Sequence, residues 1–165
     1  MATALTIRPL ADDDADVWQR LFASVAEEAL WIGAEPPVPD RGREIVDAFV
    51  DHPTDVMLLA LVDGEAVGWI SAEVEEPGVA ELGMGIVEGY RGQGIGSALM
   101  HAVTEWAAAT PLDRFVLRVF PHNERALALY RKFGFVELEH KVGVWPRRNG
   151  EFWDLIFMER PLRPI

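Results

Sequence analysis

The segment Gly89-Tyr90-Arg91-Gly92-Gln93-Gly94-Ile95-Gly96-Ser97-Ala98-Leu99 constrains this chain more than any other. An apolar run of strand character, residues 79–87, leads into it, and a run with helical spacing, residues 94–109, leads out. Glycines at 92, 94 and 96 leave backbone N–H groups uncovered by side chains. A helix that starts directly after such a loop offers free amides and the positive end of its dipole. Strand, glycine loop and helix in that order form a cradle for phosphate. The chain reads as an enzyme that holds a phosphorylated co-substrate.

Three kinds of phosphate loop have this outline. A Walker loop needs Gly-Lys-Ser/Thr, but Ser97 follows Gly96 directly, so the lysine is missing. A dinucleotide loop needs Gly-x-Gly-x-x-Gly, and the third glycine falls on Ser97 or Leu99. The next strand, around residues 116–120, also ends without the acidic residue that a ribose would need. The run Arg91-Gly92-Gln93-Gly94-Ile95-Gly96 instead resembles the Arg/Gln-x-x-Gly-x-Gly/Ala loop of the GNAT superfamily of acetyl-CoA-dependent N-acetyltransferases. Its surroundings agree with that resemblance. Glu81-Leu82-Gly83-Met84-Gly85-Ile86-Val87 resembles the family's fourth strand. Asn123-Glu124-Arg125-Ala126-Leu127-Ala128-Leu129-Tyr130-Arg131-Lys132-Phe133-Gly134-Phe135 resembles its Asn-x-x-Ala-x-x-x-Tyr-x-x-x-Gly-Phe signature. The likeness is close over residues 79–135 and looser outside them.

Residues 5–8 read as a strand and 12–29 as a helix with Val17, Leu21, Phe22 and Val25 on one stripe. Asp12, Asp13, Asp14 and Asp16 read as capping and dipole charges at its start. A proline-rich loop covers 34–41, and 42–50 reads as a short helix. Residues 56–62 and 65–74 flank Asp63-Gly64, a hairpin signal. Strands over 79–87 and 114–120 enclose the helix 94–109, whose expected buried side carries Ile95, Leu99, Ala102 and Trp106. A helix at 123–132 and closing strands at 135–144 and 152–158 complete the order. The expected fold is α/β (α+β). It is GNAT-like, with a mixed, mostly antiparallel central sheet, helices on both faces and a splay between the fourth and fifth strands. One N-acetyltransferase domain would span 1–165.

Half of the 165 residues are hydrophobic, as a globular core needs. The chain has no cysteine, which excludes disulfides, thiolate metal sites and an acetyl-thiol enzyme. Transfer is therefore expected to be direct, within a ternary complex. The four histidines are scattered without metal-ligand spacing, so no metal is expected. A net charge of −12 disfavours nucleic acid and anionic membranes and suits amines. No secretion signal or membrane-length apolar run is visible, so a cytoplasmic location is expected.

The resemblance implies roles for particular residues. The amides of Gln93, Gly94, Ile95, Gly96 and Ser97 would hold the pyrophosphate of acetyl-CoA, with Arg91 and Gly92 at the entrance. Ile86 and Val87 would pair with the pantetheine arm, and an N–H near Val87 would polarise the thioester carbonyl. Asn123 would touch the pantetheine side; as asparagine before a helix it also suits an N-cap. Tyr130, two turns on, would be the general acid, and it also suits packing against Leu127 and Phe133. Glu81 would be the general base, with the small Gly83 and Gly85 beside it leaving room for substrate. As a strand-end glutamate it needs no such role, and both readings stand.

The acceptor is expected to be a small-molecule amine or amino acid. A peptide amino terminus and a non-catalytic acyl-CoA sensor are the rivals. Trp31, Trp69, Trp145 and Trp153 are candidates for the acceptor wall or for core and interface packing, and Asp154 for meeting a cationic amine or, equally, for an edge-strand charge that discourages aggregation. A homodimer through the closing strands accords with the family.

Overall fold

The computed structural model describes residues 3–164. Residues 1, 2 and 165, the ends of the expected 1–165 domain, lie outside the described residues. The strands are β1 (Leu5–Pro9), β2 (Val56–Val62), β3 (Glu65–Glu76), β4 (Val79–Ile86), β5 (Arg114–Val119), β6 (Val136–Pro146) and β7 (Phe152–Pro161). The helices are α1 (Ala15–Glu27), α2 (Gly42–Phe49), α3 (Ile95–Ala108) and α4 (Glu124–Lys132). The strands form one sheet in the order β1-β2-β3-β4-β5-β7-β6. Every neighbouring pair is antiparallel except β4 and β5, which α3 connects. The mixed, mostly antiparallel sheet is the one the sequence predicts.

Alternation along the strands sends apolar residues to both faces. One face packs Ile70, Leu82, Phe115 and Leu117 with α3 and α4. The other packs Leu59, Leu61 and Trp69 with Trp18, Leu21 and Val25 of α1 and Val46 of α2. Asp63 and Gly64 both take left-handed backbone angles, φ 49° and 85°, as the tight β2–β3 hairpin requires. On α3 the buried side runs through Leu99, Met100, Val103 and Ala107. Ala102 and Trp106 sit at its margin, only partly buried, so the expected stripe is displaced toward Met100 and Val103. Among the described residues no helix is long and apolar enough to cross a membrane.

The β4–β5 ladder is short. Val79, Ala80 and Glu81 pair with Arg114, Phe115 and Val116, and there the pairing stops. β4 continues to Ile86 and β5 to Val119, so the two strands part beyond Glu81. This is the splay expected from the sequence, and it opens the sheet in its middle.

The aspartates before α1 do not all act as expected. Asp14 occupies the N-cap position, yet its carboxylate makes no capping hydrogen bond. It accepts instead from both Arg8 terminal nitrogens, at 2.6 and 3.0 Å, and from the Ala11 N–H at 2.7 Å. The carboxylate thus ties α1 to β1, and α1 begins at Ala15, after the expected residue 12. The Arg8 hydrogen bonds hold the Asp14 carboxyl below the ordinary aspartate value of 3.8, against the opposing effect of burial. A lowered folded-state pKa contributes stability above the unfolded value and loses it as the pH falls through the folded one. Asp14→Ala is expected to cost about 1 kcal/mol at neutral pH, because it removes the acceptor of a partly exposed Arg8 and of a partly buried N–H. In urea denaturation the gap between wild type and variant should narrow as the pH drops below 3.8. A constant gap between pH 7 and 3 would refute the ion-pair account.

Candidate active site

The glycine loop between β4 and α3 is held at both ends. The Tyr90 N–H donates to the Val87 carbonyl at 3.2 Å, and the Ala98 N–H to the Gly94 carbonyl at 3.0 Å, which opens α3. Gly92 and Gly94 have φ of 74° and 83°, where a side chain is strained. A Cβ on either would meet nothing within 4 Å, so the space beside them is open. The N–H groups of Ile95, Gly96 and Ser97 form the first turn of α3 and have no intrahelical acceptor. Open space beside unpaired amides at a helix start is what a pyrophosphate needs. Gly96 does something different: a Cβ there would lie 2.9 Å from Leu129 Cδ2, so this glycine lets α3 and α4 approach. Lys132 Nζ donates to Ser97 Oγ at 3.4 Å, which brings a cation to the loop. The Gln93 side chain folds back, donating from Nε2 to the Gly89 carbonyl at 2.9 Å.

Arg91 is not a free cation at the entrance. Its Nη1 donates to Glu28 Oε1 at 2.7 Å, Nη2 pairs with Oε2, and Nε donates to the Ile86 carbonyl at 2.8 Å. It also lies over the Trp31 ring at 5.7 Å. The end of α1 is thereby fastened to the phosphate loop, and Glu28 is held below the ordinary glutamate range by these hydrogen bonds.

From the loop a cleft of about 840 Å³ runs through the β4–β5 gap. Its walls include Met84 and Ile86 of β4, Gly94 and Ser97 of the loop and helix start, and Asn123 and Tyr130 of the α4 segment. The Val87 N–H donates to the Val67 carbonyl of β3 at 2.9 Å. In an antiparallel pair hydrogen-bonding direction alternates. Residues 83, 85 and 87 therefore turn their backbone groups to β3, while residues 84 and 86 turn theirs to the gap. The N–H of Val87 itself is thus already used, and the donors facing the gap belong to Met84 and Ile86. The Ile86 N–H is the neighbouring donor that meets the expectation of an N–H near Val87.

Asn123 caps α4, accepting from the Ala126 N–H at 3.2 Å, and it lines the cleft as well. Tyr130 is buried and lines the cleft while its ring meets Phe135 at 5.7 Å. Loss of hydration pushes its phenol up to about 12. It therefore stays protonated throughout the neutral range.

Glu81 lies where the ladder ends and also lines the cleft. The room expected beside it is only partly available. A Cβ on Gly85 would collide with the Trp69 ring, and one on Gly83 would stand 3.0 Å from Ser71 Oγ. The glycine at 85 therefore makes space for a core tryptophan and not for substrate. Glu81 Oε1 accepts from Arg118 Nε at 3.1 Å and Nη2 at 2.6 Å. The sequence does not single out Arg118: it shares the more exposed side of β5 with Arg114, and its partner lies 37 residues away.

Beyond this pair the cleft meets aromatic side chains. Trp31, Phe120, His122 and Trp145 line it, with Phe120 stacked on His122 at 5.5 Å. His122 Nε2 lies 2.6 Å from the Leu30 carbonyl, so that nitrogen donates. Trp153 stands behind, and Arg147 lies 3.8 Å over its ring. Arg147 is buried and donates to the carbonyls of Ala29 and Gly33, pinning the loop after α1 to the β6–β7 turn. Trp69 belongs to the core under α1. Asp154, a candidate for meeting an amine or for an edge-strand charge, is held by His140 Nε2 and the Gly143 N–H, both at 2.8 Å.

Comparison with known proteins agrees with this geometry. Residues 18–135 match the model of the acetyltransferase (GNAT) family. The chain belongs to the GNAT acetyltransferase family. As a GNAT enzyme it is an N-acetyltransferase, and acetyl-CoA is its acyl donor. It is 32% identical to the L-amino acid N-acetyltransferase AaaT of Escherichia coli (strain K12) over 122 residues, 69% of this chain and 73% of that protein. It is 28% identical to the phosphinothricin N-acetyltransferase of Streptomyces coelicolor, over 94% of this chain and 95% of the relative. In fold it is similar to a GNAT-family acetyltransferase of Streptococcus pneumoniae, with a TM-score of 0.87 at 24% identity over 96% of this chain and 99% of that one.

The open space at Gly94 yields a direct test. Gly94→Asp places a carboxylate beside the amides that would face phosphate, so acetyl-CoA affinity should fall by roughly 100-fold or more. The left-handed backbone at that position should cost only about 1 kcal/mol of stability. Calorimetric titration together with thermal denaturation would show both, and unchanged affinity would remove the loop from the cofactor site.

Proposed function

We propose that this GNAT enzyme transfers an acetyl group from acetyl-CoA to the primary amine of a small molecule or amino acid, directly and within a ternary complex. One observation carries the reading. A single cleft joins the helix-start amides, the β4 edge that faces the gap, the Tyr130 phenol and the Glu81 carboxylate. The amides of Gln93, Gly94, Ile95, Gly96 and Ser97, with Gly92, hold the pyrophosphate, and Lys132 adds positive charge. Arg91 shapes that loop through Glu28 and does not itself bind phosphate. Met84 pairs with the pantetheine arm through its gap-facing backbone groups and Ile86 through its N–H, the Ile86 carbonyl being held by Arg91, and one of the two N–H groups polarises the thioester carbonyl. The Oδ1 of Asn123 is committed to its cap, which leaves Nδ2 to donate toward the arm.

Glu81 takes one proton from the substrate ammonium, giving a neutral amine. The amine nitrogen forms a bond to the acetyl carbon, and the carbon–sulfur bond breaks. Tyr130 gives its phenolic proton to the departing sulfur and is reprotonated by the second proton that the nitrogen sheds. The sum is an amide, a thiol and one proton released to water from Glu81. An amino acid acceptor is supported by the activity of the Escherichia coli relative.

The cytoplasm, where acetyl-CoA is plentiful, is the proposed compartment. A homodimer is proposed through the edge strand β6, where Val136, Leu138, Val142 and Val144 stand exposed. An apolar sheet edge of this length invites pairing. Sedimentation should give twice the monomer mass, and Val142→Lys should shift it toward monomer.

Tyr130→Phe is expected to lower kcat about 100-fold while barely changing acetyl-CoA affinity. With its phenol at about 12, Tyr130 produces no basic limb in the pH–rate profile below pH 11 or so, and the variant's profile should keep the wild-type shape. Equal turnover in the two proteins would remove the acid assignment.

A further inference from the structure

Resting on the acyl-transfer reading above, we propose that Arg118 selects α-amino acids as acceptors. Its guanidinium, held on Glu81 in the structure, turns to the substrate's α-carboxylate as Glu81 receives the α-ammonium. The two side chains sit side by side on the cleft, one from each strand that parts there. A zwitterion carries the matching opposite charges on one carbon. It therefore replaces both halves of the pair together and leaves neither charge without a partner.

The pair is suited to exchange. It is made through a single carboxylate oxygen, Glu81 Oε1. The side chains are 29% and 44% exposed, and ion pairs of that exposure are held weakly. Binding to carboxylate through a guanidinium fork is stronger and more directional than the one-oxygen contact it would replace. Exchange also frees the Glu81 lone pairs for the ammonium proton, which links acceptor recognition to base catalysis.

The neighbouring arginines are already committed. Arg91 is forked on Glu28, and Arg147 is buried against Trp153 and two carbonyls. Arg125 lines the same cleft from the start of α4. An amino acid held by Glu81 and Arg118 has its side chain beside Phe120, Trp31 and Trp145, which favours apolar or flat side chains.

The test compares each of several amino acids with its decarboxylated amine, at saturating acetyl-CoA, in wild type, Arg118→Met and Arg118→Lys. Wild type should prefer the amino acid by roughly 10- to 100-fold in kcat/KM, with most of the difference in KM. Arg118→Met should bring that preference close to unity, and Arg118→Lys should keep part of it. A purely structural role would lower both substrates alike and leave the ratio unchanged, which would overturn the proposal. In wild type alone, the deaminated carboxylic acid should compete with the amino acid, and its primary amide should not. Equal competition by acid and amide would overturn the proposal even if the variants fail to fold. Acetyl transfer that ignores the carboxylate sinks this inference only, whereas no transfer to any amine sinks the acyl-transfer reading with it.

Discussion

The early end of the β4–β5 ladder is the constraint on which the rest of the structure depends. Three residue pairs hold the two strands together, and then the sheet opens. A sheet parted in its middle exposes backbone donors and acceptors that an ordinary sheet would satisfy. Those groups are tolerable because an extended, amide-bearing ligand can complete them. The gap also joins the glycine loop to Glu81, Arg118 and the aromatic side chains in one cleft.

The two apolar layers hold that opening in place. Phe115 and Leu117 anchor β5 under α3 and α4, while Trp69 anchors β3 under α1, using the space that Gly85 leaves. Two arginines then fasten the loop segments to this frame. Arg91 joins the phosphate loop to the end of α1, and Arg147 joins the loop after α1 to the β6–β7 turn. Each guanidinium pairs with carbonyls or a carboxylate of the neighbouring segment, so polar contacts fix the shape of the cleft, although Arg147 Nε is buried without a partner among the described residues. The chain is strongly acidic as a whole, yet Lys132 reaches the loop proposed to bind phosphate and Arg118 stands where a carboxylate is proposed to be read.

Much of this was legible in the residues. Glycine spacing and the Asn123–Tyr130 interval are local patterns, and local geometry carries them unchanged into a loop and a helix face. The Asp63-Gly64 turn was equally readable, because only particular residues adopt its backbone angles cheaply. Errors arose where a property depends on a distant partner. The backbone of Val87, expected to pair with the arm, is turned to Val67, and the space expected at Gly85 is filled by Trp69.

The sequence by itself determined a glycine loop between a strand and a helix, a sheet with helices on both faces, and a site without a thiol. These follow from backbone preferences, hydrophobic periodicity and residue inventory, all of which act over a few positions. Only the tertiary structure decided which backbone groups of β4 face the gap, that Arg91 serves Glu28, and that Glu81 meets Arg118. Those outcomes depend on strand register and on charges brought together from distant parts of the chain. A sequence records the charges, but the fold alone assigns their partners.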